Sequence, residues 1–192
     1  MITVFPETKG LIFDCDGTLA DSMPLHIEAW CEAFADVGEN CPREFIVALQ
    51  GMPAEKIVDA FNQKFNRNIN ARQVARDKNN RAREKLREAK PIVPVANIVR
   101  NFRGKLPMAV VSGSTRENVD LIIDIIGLTN HFDAVITSDD NINPKPSPDI
   151  FLEAARRLNV EPRYCQVFED GDVGLKAAHM AGMITTDVRL YI

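Results

Sequence analysis

The chain has 192 residues, of which 45% are hydrophobic and 26% are charged, and its formal net charge is −4. This length and composition fit one globular domain, or one domain with a smaller domain inserted in it. The acidic balance argues against a protein that binds nucleic acid or a membrane surface, and no apolar stretch approaches the length that crosses a bilayer.

The first predicted element is a strand over residues 11–13, an apolar run without alternation, which is typical of a strand buried on both faces. It ends at Asp14 and Asp16, which are followed by Gly17 and Thr18. Ligands bind at the carboxyl ends of the strands in an open α/β sheet, so this segment is a candidate site. Two close carboxylates repel each other, and we expect a cation between them or a proton on one of them. The alternative interpretation is that the Asp-x-Asp-Gly segment only turns the chain.

The following stretch, residues 20–90, predicts helices and no strand. Apolar residues recur at helical spacing in four segments: residues 25–37, 43–49, 54–65 and 71–90. Between residues 72 and 90, the last helix carries eight basic residues against three acidic ones. A face that attracts phosphate is one interpretation of this helix, and a solvated face with alternating charges is the one that we favour.

From residue 91 onward, strands alternate with helices. The predicted strands are residues 107–111, 132–137, 165–168 and 183–188. The predicted helices are residues 93–103, a helix to Ile126 with Ser114 and Glu117 as its capping box, a capped helix that starts at Ser147-Pro148-Asp149 and reaches Leu158, and residues 173–181. This alternation predicts an α/β fold with a Rossmann-like parallel sheet and helices on both faces. The all-helical stretch is then an insertion after the first strand, which gives a core domain of residues 1–19 and 92–192 and a small helical cap domain of residues 20–91.

Polar residues follow three of the predicted strands, and a lysine lies in a loop between prolines: Asp14 with Asp16, Ser112, Glu169 with Asp170, and Lys145. The carboxyl ends of parallel strands lie at one edge of the sheet, so we expect these side chains to converge. Converging carboxylates require a divalent cation, and oxygen-only ligands favour Mg²⁺. A lysine supplies charge for a phosphate, and a carboxylate can attack phosphorus, so the pattern predicts phosphoryl transfer. Taken singly, Lys145 reads equally well as a surface lysine and Ser112 as a helix-entry turn, so their joint placement carries the interpretation.

Four segments resemble the four ordered motifs of the haloacid dehalogenase superfamily: residues 13–18, 111–114, 145–148 and 168–171. The resemblance covers almost the whole chain. The inserted helices resemble the small cap of the β-phosphoglucomutase-like group of that superfamily. Within the group, the chain resembles bacterial fructose-1-phosphate phosphatases of the YqaB type, and this resemblance includes the ending at residues 186–190.

The resemblance implies a role for each motif residue. Asp14 is the nucleophile that becomes phosphorylated, and Asp16 protonates the leaving oxygen and then deprotonates the attacking water. The implied Mg²⁺ ligands are the Asp14 side chain, the Asp16 backbone carbonyl, Asp170 and, through water or as an alternate ligand, Glu169. The implied phosphoryl contacts are Thr18, Ser112 and Lys145, with further substrate contacts from Gly113, Ser114 and Asn118. Asp172 is either one more acid beside the metal motif or only a helix N-terminal residue.

Three cap residues, His26, Gln50 and Gly51, are expected to contact the substrate. His26 matches a histidine of this group that can hydrogen-bond the catalytic acid or the sugar, and the alternative is a half-buried structural histidine. The segment 50–53 resembles the cap loop that reaches into the active site.

Residues in the same loop distinguish a phosphatase from a mutase. The β-phosphoglucomutases carry a lysine before the loop glycine and an arginine shortly after it, and these hold a second phosphate. This chain has Gln50 and Ala54 there, and neutral residues cannot supply that charge. The difference favours a phosphatase, unless another cap residue such as Lys56 or Arg81 compensates.

The sequence thus predicts a Mg²⁺-dependent phosphatase that hydrolyses a small sugar phosphate, such as fructose 1-phosphate, through an aspartyl-phosphate. The alternatives are a sugar-phosphate mutase of the β-phosphoglucomutase type and a catalytically silent binding protein on the same scaffold. The expected partner is a small phosphorylated sugar, with no nucleic acid and no membrane, and the expected state is a monomer. Residues 1–9 do not resemble a signal peptide, and the four scattered cysteines favour reduced thiols in a cytoplasmic protein.

Overall fold

The computed structural model describes residues 2–192, and Met1, the first residue of the predicted core segment, lies outside the described residues. Residues 2–192 contain five β-strands: β1 (Gly10–Asp14), β2 (Met108–Val111), β3 (Ala134–Ile136), β4 (Cys165–Glu169) and β5 (Ile184–Asp187). They form one parallel sheet in the order β3-β2-β1-β4-β5. The predicted α/β class with a Rossmann-like parallel sheet is confirmed.

Eight α-helices lie in the described part of the chain: α1 (Met23–Asp36), α2 (Arg43–Val47), α3 (Ala54–Phe65), α4 (Ala71–Lys85), α5 (Val93–Phe102), α6 (Arg116–Ile125), α7 (Asp149–Leu158) and α8 (Asp172–Met180). The prediction of one helix over residues 71–90 is wrong at its end. A 3₁₀ turn at Leu86–Glu88 follows α4, and Ala89 is extended, because the chain must turn back toward the sheet ahead of Pro91. Among residues 2–192, no helix combines the length and the apolar character that a membrane crossing needs.

Strand β1 is the centre of the sheet, and all of its residues are buried. Leu11 and Phe13 contribute to the hydrophobic cluster on one face of the sheet, whereas Ile12 contributes to the cluster on the other face. Burial on both faces is the physical reason why the apolar run of this strand does not alternate. The strand therefore delivers Asp14 to the middle of the carboxyl edge of the sheet.

The predicted capping box of α6 is wrong. Thr115 is the N-cap residue, and its side chain makes no capping hydrogen bond with the residues that the structure describes. The Ser114 hydroxyl donates instead to Oδ2 of Asp16 at 2.8 Å, and Glu117 pairs with Arg83 of α4. Both side chains have charged partners outside the helix, and hydrogen bonds to charged groups are the stronger ones.

The predicted side-chain cap of α7 is wrong as well. Pro148 is its N-cap residue and has no polar side chain, and no described side chain caps this end in its place. Proline presets the backbone angle of the first turn, so this helix starts without a capping hydroxyl. Asn143 instead donates to the Asp149 carboxylate at 2.6 Å and ties the preceding loop to the helix.

The buried hydrophobic side chains of the described residues form three clusters. Two of them cover the two faces of the sheet, under α5 and α6 on one side and under α7 and α8 on the other. The third lies among α1–α4 and contains no strand residue; in it, the Phe34 and Phe61 rings are 4.5 Å apart. We refer to α1–α4 as the helical layer, and the predicted domain boundaries at residues 20 and 91 stay a prediction.

Candidate active site

The carboxyl ends of three neighbouring strands carry buried polar side chains. Asp14 ends β1, Ser112 follows β2, and Glu169 ends β4, with exposed fractions of only 3%, 1% and 2%. Asp170 is the next residue after Glu169 and is also buried. The strand order places β1 between β2 and β4, so residues far apart in sequence come together around Asp14.

Lys145 reaches this edge from the loop before α7 and is buried. Its Nζ donates to Oδ1 of Asp14 at 2.6 Å and to Oε2 of Glu169 at 2.7 Å. Burial on its own favours the neutral amine, but Asp14 and Glu169 raise the pKa of Lys145 above its ordinary value. The lysine is therefore a fixed positive charge next to the Asp14 carboxylate.

Three carboxylates form a cluster that fits a metal ion. Asp14, Glu169 and Asp170 each place one oxygen within 4.8 Å of the others. Lys145 balances one of these three negative charges, so the ionised cluster keeps a net charge that a divalent cation would neutralise. Because all the donors are oxygens, the cluster matches the preference of Mg²⁺.

The pKa values of the cluster show how unfavourable it is without a cation. Burial first, and then the charge of Glu169, raises the pKa of Asp14 well above its ordinary value despite the contact with Lys145. The same two causes raise the pKa of Asp170 to about 6. Each of these carboxyls needs either a proton or a cation to be stable in its position.

The Asp16 side chain is not one of the three carboxylates of this cluster, and it accepts four hydrogen bonds. Its donors are Ser22 Oγ at 2.7 Å and His26 Nε2 at 2.7 Å on Oδ1, and Ser114 Oγ at 2.8 Å and Ser112 Oγ at 3.3 Å on Oδ2. Burial acts to raise the pKa of Asp16, but His26 and the hydroxyl donors hold that pKa below its ordinary value. Asp16 is thus a fixed carboxylate whose orientation is set from both the sheet and the helical layer. The predicted metal contact of its backbone carbonyl stays a prediction.

His26 is itself fixed by Lys78 of α4, whose Nζ lies 2.9 Å from His26 Nδ1. A protonated amine can only donate, so Nδ1 accepts and Nε2 carries the proton that is donated to Asp16. Burial first, and then the Lys78 charge, lowers the pKa of His26, which favours the neutral imidazole. Burial also lowers the pKa of Lys78, to about 8. The three side chains form a continuous hydrogen-bonded path from α4 to the candidate catalytic acid.

Sequence reasoning missed Ser22 and Lys78 as site residues. Lys78 stands on the buried stripe of α4, where its neighbours Ala75 and Ala82 are apolar. A lysine on such a stripe needs a buried polar partner, and this was the signal that pointed to a site. Ser22 precedes a proline-containing first turn, where a serine usually caps the helix, and its sequence context gives no sign of Asp16.

A small cavity, which we call the inner pocket, lies between the sheet edge and the helical layer and has a volume of about 50 Å³. Asp14, Asp16 and the residues 112–114 line it from the sheet side. The helical layer contributes His26, Gln50 and Gly51 to its walls. Most of the predicted motif residues and the three predicted cap residues therefore line the same small space.

Two glycines bring the helical layer into backbone contact with the sheet. A Cβ atom added to Gly113 would lie 2.4 Å from the carbonyl oxygen of Gly51, which is far inside contact distance. Gly51 has a φ of 84°, a conformation that glycine adopts without steric cost. The two loops can approach this closely because Gly113 has no side chain.

Three residues predicted to contact the substrate, Lys145, Thr18 and Asn118, lie outside the wall of the inner pocket. Thr18 is fully buried, and its hydroxyl donates to Oδ1 of Asp170 at 3.0 Å. Asn118 is buried in α6, and its amide atoms have no hydrogen-bond partner among the described residues. Their roles in substrate binding stay predictions.

The parallel sheet, with buried carboxylates and a lysine at its carboxyl edge, is the architecture of an α/β protein with its functional site at that edge. The chain belongs to the haloacid dehalogenase-like hydrolases, because the model of that family matches residues 11–188. The family resemblance of the four sequence motifs is confirmed by this match.

Individual relatives agree with the family. The chain is 38% identical over 187 residues to the fructose-1-phosphate phosphatase YqaB of Escherichia coli, covering 97% of this chain and 100% of that protein. It is 30% identical over 179 residues to a phosphorylated carbohydrates phosphatase of Thermotoga maritima, covering 91% and 82%. The β-phosphoglucomutase of Clostridium difficile has the same fold, with a TM-score of 0.85 at 24% identity over 93% of this chain and 83% of that one. The predicted similarities and the predicted class, a phosphatase-type hydrolase, are confirmed.

Proposed function

We propose that this chain is a Mg²⁺-dependent phosphatase that hydrolyses a small sugar phosphate, such as fructose 1-phosphate, through an aspartyl-phosphate on Asp14. The observation that carries the proposal is the buried contact of Asp14 with Lys145 inside a three-carboxylate cluster. A carboxylate held in this way is an oriented nucleophile with a positive charge beside it. The substrate class rests on the names of the two phosphatase relatives.

Residues 20–91 act in this proposal as a cap over a core of residues 1–19 and 92–192. Support comes from the separate hydrophobic cluster of the helical layer and from its contacts with Asp16, Gly113 and Asp170 across the sheet edge. The cap opens to admit the sugar phosphate and closes to exclude water. The small volume of the inner pocket implies that the sugar enters while the cap is open.

Mg²⁺ would be held by Asp14, Asp170 and the Asp16 backbone carbonyl, with Glu169 as the further acid of the cluster. When bound, it supplies positive charge to the carboxylates and to the oxygens of the phosphoryl group. Lys145 adds a second positive charge on the side of Asp14 and Glu169.

In the first step, an Asp14 oxygen attacks phosphorus, and the bond from phosphorus to the sugar oxygen breaks. Asp16 gives its proton to that leaving oxygen, which general acid catalysis accelerates by about 10²–10⁴-fold. The low pKa of Asp16 in the free protein means that it is ionised there, and the arriving phosphoryl dianion favours its protonation. The result is a neutral sugar and a phosphorylated Asp14.

In the second step, water attacks phosphorus, and the bond from phosphorus to Asp14 breaks. Asp16, now a carboxylate, accepts the proton from this water. The hydrogen bonds from Ser22, His26 and Ser114 keep its side chain in one orientation for both steps. Thr18, Ser112 and Lys145 are proposed to hold the phosphoryl group, with Gly113, Ser114 and Asn118 as further substrate contacts.

The second candidate function is a sugar-phosphate mutase. It is favoured by the structural likeness to a β-phosphoglucomutase and opposed by Gln50 and Ala54, which bring no charge to the pocket wall. A mutase needs to hold a bisphosphate at both ends. Neither of the two cap residues that could replace the missing positive charge is placed to do so. Arg81 is already paired with Glu32 and Asp36, and Lys56 lies in α3 outside the inner-pocket wall.

A panel of phosphorylated sugars tests the proposal. Each compound is incubated with the protein and Mg²⁺, and free phosphate and isomerised sugar phosphate are measured in the same sample. We expect free phosphate from at least one ketose or aldose phosphate and no isomer, with Asp14→Asn inactive but still able to bind substrate. Isomer without free phosphate would establish the mutase, and phosphate release by Asp14→Asn would refute the aspartyl-phosphate. Within the proposal the protein is a monomer without a nucleic-acid or membrane partner, and its cytoplasmic location stays a prediction.

A further inference from the structure

Gln50, on the loop between α2 and α3, contacts an acid of the metal cluster. Its Nε2 donates to Oδ2 of Asp170 at 2.9 Å, while the Thr18 hydroxyl donates to Oδ1 of the same carboxylate at 3.0 Å. One oxygen of Asp170 is thus held from the sheet side and the other from the helical layer. The predicted role of Gln50 was substrate contact, and this hydrogen bond gives it a different partner.

The side chains of Gln50 and Asp170 lie between two cavities. The inner pocket lies on one side, and on the other lies a groove of about 900 Å³ beside the chain segment that returns to the sheet, at Lys90 and Pro91. Gln50 and Asp170, with Met23, line both cavities. The bulk of these side chains therefore closes the inner pocket on the side of this groove, which we call the hinge groove.

Glycines make room for this contact on both sides. A Cβ atom added to Gly171 would lie 3.3 Å from Cγ and Nε2 of Gln50. A Cβ atom added to Gly17 would lie 2.2 Å from Oδ2 of Asp170, the oxygen that accepts from Gln50. A side chain at Gly171 or at Gly17 would therefore overlap the space that Gln50 and Asp170 occupy.

We propose that Gln50 is a positioning residue that couples closure of the cap to the metal-holding carboxylate Asp170 and separates the inner pocket from the hinge groove. This inference rests on the proposed function, because it takes residues 20–91 as a cap and Asp170 as a metal ligand. Gln50 and Asp170 belong to the cap and to the core, so their hydrogen bond exists only while the cap is closed. Closure then fixes the orientation of Asp170 and blocks exchange through the hinge groove.

The chemistry of the side chain suits this task. An amide donates a hydrogen bond without carrying charge, so Asp170 keeps its full negative charge for a cation. A glutamate at this position would repel the carboxylate. Outer partners of metal-binding carboxylates typically change metal affinity by about 10–100-fold when they are removed.

The test uses three variants of the full-length protein without substrate. Gln50→Met keeps the bulk of the side chain and removes the donor, Gln50→Ala removes both, and Gln63→Ala, an exposed glutamine of α3, is the control. Calorimetric titration with MgCl₂ reports the metal affinity. Acrylamide quenching of Trp30 reports access to the inner pocket, since this is the single tryptophan, it is 2% exposed, and it lines that pocket.

We expect Gln50→Met to weaken Mg²⁺ binding roughly tenfold with unchanged quenching of Trp30. Gln50→Ala weakens Mg²⁺ binding to the same extent and raises the quenching constant several-fold, while Gln63→Ala matches the wild type in both. Unchanged Mg²⁺ affinity in both Gln50 variants overturns the positioning role. Unchanged quenching in Gln50→Ala overturns the proposal that Gln50 separates the inner pocket from the hinge groove. Both readouts are independent of turnover, so a wild-type protein that hydrolyses no sugar phosphate refutes the proposed function separately.

Discussion

The ammonium group of Lys145 lies 2.6 Å from the carboxylate of Asp14, although 131 positions separate the two residues in the sequence. Both side chains are buried, with 1% and 4% exposed. Burial raises the pKa of Asp14, which would make it a poorer nucleophile in the protonated form, and Lys145 acts against this. The ion pair therefore opposes protonation of this buried carboxylate, and a metal cation in the cluster would act in the same direction.

Replacing Lys145 with methionine removes that charge at nearly constant volume. We expect kcat to fall by about 10²–10³-fold, the usual loss when one group that stabilises charge in the transition state is removed. The pH at which half of the remaining activity is reached moves upward, because the pKa of Asp14 rises further without its partner. Steady-state hydrolysis between pH 5 and pH 9 measures both effects. Lys105→Met, at an exposed lysine, is the control, and equal kcat values for the two variants would contradict the role of Lys145.

Asp170 gives the metal-free protein a defined pH dependence. Its pKa is raised to about 6 by burial and by Glu169, whereas the ordinary value is 3.8. The native state thus binds the proton more tightly than the unfolded state, and the free energy of unfolding falls as pH rises from about 4 through 6. A shift of two units corresponds to about 3 kcal/mol. Chemical denaturation in EDTA at pH 4, 6 and 7.5 measures this loss.

The matched variants for this prediction are Asp170→Asn and Asp59→Asn, the second at an exposed carboxyl of α3. Without metal at pH 7.5, we expect Asp170→Asn to be more stable than the wild type by about 1–3 kcal/mol, and the difference to shrink toward pH 4. Addition of Mg²⁺ stabilises the wild type and leaves Asp170→Asn nearly unchanged. If Asp170→Asn is less stable than the wild type at pH 7.5 in EDTA, the ionised Asp170 carboxylate does not destabilise the native state, and the prediction is wrong.

The contact of Lys78 with His26 predicts that a substitution of Lys78 lowers kcat, although Lys78 does not contact the reacting atoms. Lys78→Met removes the donor to Nδ1, so His26 can take the other tautomer and lose the proton that it shares with Asp16. Asp16 then has one donor fewer, and we expect kcat to fall by about 10–100-fold, within the range that acid–base catalysis contributes. The affinity for a non-hydrolysed substrate in Asp14→Asn changes little when Lys78→Met is added. A change confined to that affinity, with kcat intact, would assign Lys78 to substrate binding instead.

The close approach of Gly113 to Gly51 predicts that Gly113→Ala prevents full closure of the cap. The added methyl group would lie 2.4 Å from the Gly51 carbonyl oxygen, so we expect kcat/KM to fall at least tenfold while the folded core is retained. Gly38→Ala is the contrasting variant. Its φ of 77° makes alanine unfavourable, but its added methyl group meets no described atom within 4 Å, so we expect lower stability and normal kcat/KM. Equal catalytic losses in the two variants would refute the closure argument.

Local sequence patterns were sufficient for most of the fold. The unbroken apolar run of β1 predicts a central strand, and the spacing in residues 54–65 predicts α3 with its observed bounds. The carboxylates at the strand ends were also predictable, because the carboxyl edge of a parallel sheet collects them whatever the intervening sequence. These features depend on neighbours along the chain or on a general rule of sheet topology.

The partners of individual side chains were not predictable in the same way. Ser114 has the sequence context of a helix cap, but its hydroxyl donates to Asp16, which lies 98 positions away. Gln50 was expected to face a substrate, and its amide contacts Asp170, 120 positions away. In both cases, tertiary folding brings a charged acceptor close to the side chain, and sequence patterns do not contain that partner.

The most direct measurement is the mass of the protein after rapid acid quenching of a single turnover. Wild-type protein with Mg²⁺ and a hydrolysed sugar phosphate should gain one phosphoryl group, and peptide analysis should locate it on Asp14. Asp14→Asn should gain none under the same conditions. A phosphoryl group on any other residue, or turnover by the wild type with no phosphorylated protein at any quench time, would contradict Asp14 as the nucleophile.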